Sequence, residues 1–155
     1  MSIYYSLELA SDLDAATIER HLGLAAGHTL PNPTGSGEPA FVAVRGRAPD
    51  LVDDQVYADA YGFTPRVGVV VELDKFAAGV QEREAPAIHA LRALLETTRA
   101  VMYVSHLGDY PVLVRRDGVL TVDSRWLAQR PWFPSVFPHP YTTAELVDPY
   151  AAGSP

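Results

Sequence analysis

Ser105, His106 and Asp109 are of the types that could supply a nucleophile, a base and an orienting carboxylate. Their spacing argues against it. Ser105 and His106 are neighbours in the run Val101 to His106, which reads as a strand, so their side chains leave on opposite faces. They cannot share a proton, and His106 reads as a packed strand-end histidine. Glu72 and Asp74 are a second candidate, because paired carboxylates do acid–base work where one pKa is raised. Both fall on the less apolar face of a strand, where plainer roles suit them: Asp74 as a helix cap, Glu72 as an arginine's partner. His21 and His28 lie seven apart, but Gly23 and Gly27 interrupt a helix there and no carboxylate completes a metal face. His89 sits beside Ile88, half-buried or solvated, and His139 lies between two prolines. Gly35-Ser36-Gly37 has no Gly-Lys-Ser/Thr after it, and Pro39 leads into a strand, so it reads as a flexible turn and not a phosphate loop. The residues point to no enzyme, no metal and no cofactor.

The elements that would position these groups follow from periodicity. Ile3, Tyr5, Leu7 and Leu9 alternate with polar residues and predict a first strand. Ser11 and Asp14 have capping-box spacing ahead of a helix with Ala15, Ile18 and Leu22 on one face, ended by Gly23 and Gly27. Pro31 to Pro39 is a loop by composition, and Phe41, Val42 and Val44 mark a second strand. Ala48 to Tyr61 reads as irregular. Val67, Val69, Val71 and Leu73 form an apolar strand face, and Val70 on the other side places this strand centrally. Pro65 suits its entrance, and Asp74 its exit, as the cap of a helix beginning near Phe76, Ala77 and Val80. Ala87, Ile88, Leu91, Leu94 and Leu95 have helical spacing, with Pro86 marking a kink or a fresh helix start.

Beyond that helix, Val112 to Arg116 and Val119 to Asp123 flank Asp117-Gly118, the dipeptide a type I′ hairpin turn prefers. The order β-α-β-β-α-β plus a hairpin predicts an α+β fold: a split-βαβ, ferredoxin-like antiparallel sheet with two helices on one face and a C-terminal hairpin extension. Residues 1–130 read as one domain. Residues 131–155 read as a proline- and aromatic-rich tail, irregular, packing on that domain and fraying after Pro149. Trp126, Trp132, Phe133, Phe137 and Tyr141 suit an interface as well as a tail that covers an open sheet face.

Composition narrows the function classes. With 155 residues and 48% hydrophobic content the chain can bury a core. It has no cysteine, which excludes disulfides and thiolate chemistry. No apolar run reaches the ~20 residues of a membrane helix, and MSIYYSLELA is no signal peptide, so the cytoplasm is the expected compartment. The net charge is −7, and residues 1–60 hold nine acids against three arginines. That balance opposes nucleic-acid binding. It suits a surface charged for solubility, and it also fits a basic protein partner. Asp50, Asp53, Asp54 and Asp59 are the densest acids, with Tyr57 and Tyr61 among them, and they form the candidate partner-binding set. The edge strands of such a sheet leave room for a homodimer.

The stretch YGFTPRVGVVVELDK, Tyr61 to Lys75, resembles the core signature of the Sit-type immunity family, third subgroup. The matching residues are Gly62, Phe63, Thr64 and Pro65, then Leu73, Asp74 and Lys75. Tyr5, Leu7, Leu9 and Ala10 resemble the family's start, and Arg115-Arg116-Asp117-Gly118 with Asp123 and Trp126 its hairpin. The resemblance covers roughly residues 1–10 and 60–127, and it carries over no catalytic residue. It implies a protein that binds and neutralises a cognate bacterial toxin by stoichiometric occlusion. A small-molecule-binding or regulatory α+β domain is the alternative reading, since a fold of this kind hosts many functions.

Overall fold

A computed structural model of the chain describes residues 3–10, 13–24, 29–30, 40–74, 76–77 and 79–152. The elements in chain order are β1 (Ile3–Leu9), α1 (Ala15–Leu22), β2 (Thr29–Leu30), β3 (Ala40–Gly46), α2 (Leu51–Tyr61), β4 (Val67–Leu73) and α3 (Val80–Thr97). They continue with β5 (Met102–His106), β6 (Tyr110–Arg116), β7 (Val119–Asp123), α4 (Ser124–Ala128), α5 (Phe133–Val136), β8 (Thr142–Ala144) and α6 (Pro149–Ala152). The fold is α+β. An open eight-stranded sheet runs β2-β3-β4-β1-β5-β6-β7-β8, antiparallel throughout except for the parallel pair β7–β8. β1 lies between β4 and β5, which are themselves joined through α3.

Alternation sends two sets of side chains to two faces. Tyr5, Leu7 and Leu9 of β1, and Val67, Val69, Val71 and Leu73 of β4, enter the main core under α1 and α3. Asp14 caps α1 by accepting from the Thr17 N–H at 2.8 Å, and Gly23 ends it at φ 63°. The opposite face carries a second, smaller core of Tyr57, Tyr61, Phe63, Tyr103, Val114 and Leu146. Tyr103 reaches it because it alternates with Met102 and Val104, which point to the main core. The register slips between Val104 and Ser105, and as a result Val112 and Leu113, consecutive on β6, both join the main core. Asp117 at φ 53° and Gly118 at φ 76° make the expected tight turn between β6 and β7.

Four expectations are corrected. Ala48 to Tyr61 is not irregular, because residues 51–61 form α2. Asp74 caps a turn by accepting from the Phe76 N–H at 2.9 Å, whereas α3 starts later, at Val80, after Gly79. Of the kink or fresh helix start expected at Pro86, the fresh start is excluded, because α3 runs through Pro86. The segment after Pro131 is not irregular, since it holds α5, β8 and α6, and Phe133, Phe137 and Leu146 are buried. Ser11, Gly27, His28, the loop 31–39 with Gly35-Ser36-Gly37, and Lys75 of the motif lie outside the described residues.

Asp123 ties this C-terminal part down. It caps α4 by accepting from the Arg125 and Trp126 N–H groups at 2.9 and 3.0 Å, takes the Arg125 guanidinium at 2.9 Å, and accepts from the Leu146 N–H at 2.8 Å. Burial alone would raise its pKa, but the bonds from Arg125, Leu146 and Trp126 win and hold it below the usual carboxylate range. A lost cap costs about 1 kcal/mol, and a lost charged bond to a buried N–H about 1.5–3 kcal/mol. Asp123→Ala should therefore destabilise by about 3 kcal/mol in urea unfolding. Because the folded pKa is depressed, this stabilisation is complete above the unfolded value of about 3.9 and is lost as pH falls through the folded value. The wild type should accordingly lose more stability than Asp123→Asn on acidification below about pH 4.

Candidate protein-interaction face

α2 is built from its punctuation inward. Asp50 caps it, accepting from the Val52 and Asp53 N–H groups, both at 3.0 Å. Asp53 and Asp54 place negative charge in the first turn, where the helix dipole favours it. Gly62 closes the helix in the left-handed region at φ 71°. The aspartates differ in what they do. Asp53 pairs with Arg47 at 2.9 Å and accepts from the Tyr150 hydroxyl at 3.0 Å. Arg47 also reaches Glu8 at 2.6 Å and lies over the Tyr57 ring at 5.8 Å. Burial raises the Glu8 pKa, and Arg47 opposes that rise. Asp54 contacts Arg66 at 3.4 Å. Asp59 is exposed and accepts from the Gln55 amide at 2.7 Å.

Tyr57 and Tyr61 do not stand at the surface beside these acids. They are 5% and 8% exposed and pin α2 to the sheet. Tyr57 meets Phe63, Tyr103 and Tyr150 edge-on at 5.5–6.0 Å, and Tyr61 stacks on Tyr103 at 5.1 Å. The Tyr61 hydroxyl donates to the Val147 carbonyl and accepts from the Val147 N–H. The physical reason is their i, i+4 spacing, which puts both on the inner face of a helix and not on a loop. What stands outside instead is Leu51 and Val52, 92% and 71% exposed in the first turn next to Asp50.

The other candidates separate as their spacing requires. Ser105 aligns with Ser6 and His106 with Tyr5, so they occupy opposite faces, and the His106 ring stacks on Tyr5 at 4.7 Å. Burial lowers the His106 pKa. Glu72 is exposed on the outer face opposite Tyr4 and Phe41, and Asp74 lies past the strand end, so the two form no buried pair. His21 and His89 are exposed, and His139 lies 3.5 Å from Glu96. Among the described residues no group of three or more His, Asp or Glu could hold a metal ion, and no helix is long and apolar enough to cross a membrane.

A buried polar cluster was missed by the sequence reading. Glu84 and Arg130, 3% and 6% exposed, form an ion pair in which Arg130 Nε donates to both carboxylate oxygens at 2.8–3.0 Å. The Tyr5 hydroxyl donates to Glu84 and accepts from Trp126 Nε1 at 3.2 Å. Burial and the Glu84 charge push the Tyr5 phenol up. The available signal was Glu84 itself, an acid in line with Ile88, Leu91 and Leu95 on the apolar stripe of α3. Beside this cluster an open cleft of about 920 Å³ separates the β5–β6 turn from the C-terminal segment, walled by charged residues such as Asp109, Arg125 and Asp148 as well as by Leu107, Tyr110 and Trp126.

The SitI3-like family model matches residues 3–132, from β1 through α4 to the start of the aromatic segment. No curated protein and no solved structure matches the chain. The match spans the sheet from β1 to β7 with α1, α2 and α3, including the Gly62 to Asp74 stretch that links α2 to the central strand β4. The chain belongs to the SitI3-like family, the third subgroup of the Sit immunity proteins.

Proposed function

We propose that this protein neutralises a cognate toxin by binding it stoichiometrically and occluding its working surface, with no chemistry of its own. Family membership is the observation that carries this reading. The contact face we assign is the outer side of α2. There Leu51 and Val52 form an apolar centre with the exposed Asp50 and Asp59 beside it, and the half-buried Asp53 and Asp54, paired with Arg47 and Arg66, edge it. Such a face suits a basic partner, since opposite charge speeds encounter and fixes orientation. In the same reading β3, β4, β1 and β5 with α1 and α3 make a split-βαβ, ferredoxin-like unit within a domain over residues 1–130, whose core the buried Phe133, Phe137 and Leu146 complete.

The test is the association rate of the toxin with a variant carrying Asp50→Asn, Asp53→Asn, Asp54→Asn and Asp59→Asn. Asparagine caps a helix about as well as aspartate, so α2 keeps its start. Association at low salt should slow by about tenfold and lose most of its salt dependence. An unchanged rate at low salt would remove α2 from the interface.

A further inference from the structure

On the side of the sheet away from α2, the start of α3, the β5–β6 turn and the end of α4 enclose a recess of about 190 Å³. Arg83, Arg130, His106 and Gln129 face it, and Glu84 is the carboxylate in its wall. The charges do not cancel. Glu84 is already engaged by Arg130 and the Tyr5 hydroxyl. Arg83 Nε is buried with no hydrogen-bond partner, and the Arg83 side chain makes no ion pair among the described residues. A partly buried guanidinium without an acceptor carries a desolvation cost that an anion would relieve. The mouth of the recess is also held in an uncommon shape. Leu107 has φ 56° with its N–H donating to the Tyr4 carbonyl at 3.0 Å, and non-glycine residues stay in that region only where their surroundings fix them.

We propose that this recess is a binding site for a small oxyanion, a carboxylate or phosphate group, with Arg83 as the charged donor and the Gln129 amide as the second donor. The guanidinium fork suits either group. Arg130, already spent on Glu84, contributes a positive wall. The recess shares His106, Leu107, Gln129 and Arg130 with the 920 Å³ cleft, so the rest of a larger ligand has room to continue into it. The site stands apart from the α2 face and does not depend on the toxin reading.

The experiment titrates inorganic phosphate and, separately, acetate into the full chain at constant ionic strength, following the Arg83 Nε–Hε resonance by NMR. A saturable shift with phosphate alone identifies a phosphate site, with acetate alone a carboxylate site, and with both a general oxyanion site; each supports the proposal. Arg83→Gln, read by perturbation of the Gln129 side-chain amide, should weaken the anion by about tenfold. Gln129→Ala should weaken it severalfold while leaving the circular dichroism spectrum unchanged. No saturable shift at Arg83 with either anion, or undiminished binding by Arg83→Gln, overturns the assignment.

Discussion

Glu84→Ala should destabilise the fold by about 3–5 kcal/mol, because it leaves the Arg130 guanidinium buried without its counter-charge. That is a large share of the roughly 5–15 kcal/mol that holds a domain of this size together. Urea unfolding of the single variant measures it through the shift of midpoint. The deletion also strips the acceptor from the Tyr5 hydroxyl, so the loss extends into β1 at the centre of the sheet. A companion variant isolates the cause. Glu84→Leu combined with Arg130→Met removes both charges and leaves apolar groups of similar length, and such replacements of a buried pair are often neutral or better. The double variant should recover most of the lost stability. A Glu84→Ala midpoint close to the wild type would mean that the pair is not formed in solution.

Deleting residues 131–155 should abolish cooperative folding. Phe133 and Phe137 pack into the main core with Trp126, at ring-centroid distances of 5.1 Å for Trp126–Phe133 and 4.8 Å for Phe133–Phe137. Leu146 completes the second core. Burial of three such side chains contributes about 6 kcal/mol in total, before the β8 ladder is counted. The truncated chain would also present the outer edge of β7 and the ring of Trp126 to water. The expected observations are loss of near-ultraviolet circular dichroism, binding of a hydrophobic dye and aggregation on concentration. A truncated chain with a sharp unfolding transition would instead make the last 25 residues an accessory to a self-sufficient unit.

Elements with a strong period were legible. β1 and β4 announce themselves by strict alternation, the β6–β7 hairpin by Asp117-Gly118, and α3 by its Ala87 to Leu95 stripe. α2 was hidden although its punctuation was complete: Asp50 ahead of it, two acids in its first turn and Gly62 after it. Its weak apolar face was the obstacle. Only Tyr57 and Tyr61 are buried, while Leu51 and Val52, the residues that would suggest a core face, point outward. The same geometry explains the candidate set. Residues that adjoin in a loop fall on different sides of a helix, so Asp50 and Asp59 stay exposed, Asp53 and Asp54 are half-buried in pairs with Arg47 and Arg66, and the two rings turn in. β8 was illegible for another reason. All three of its side chains are exposed, so no hydrophobic pattern marks it, and it is defined by parallel pairing with β7 and the Thr121–Thr142 contact at 3.2 Å. Glu84 and Arg130 lie 46 positions apart, beyond the reach of any local pattern.

The position of β1 has a consequence for synthesis. It leaves the ribosome well before β4 and β5, yet it lies between them in the sheet. The nascent segment Ile3–Leu9 must wait, with its apolar residues unshielded, until His106 has emerged. Long-range closure of this kind folds slowly. Slower elongation between β4 and β5 would lengthen the interval in which a newly made chain is open to chaperones and proteases before its central strand is enclosed.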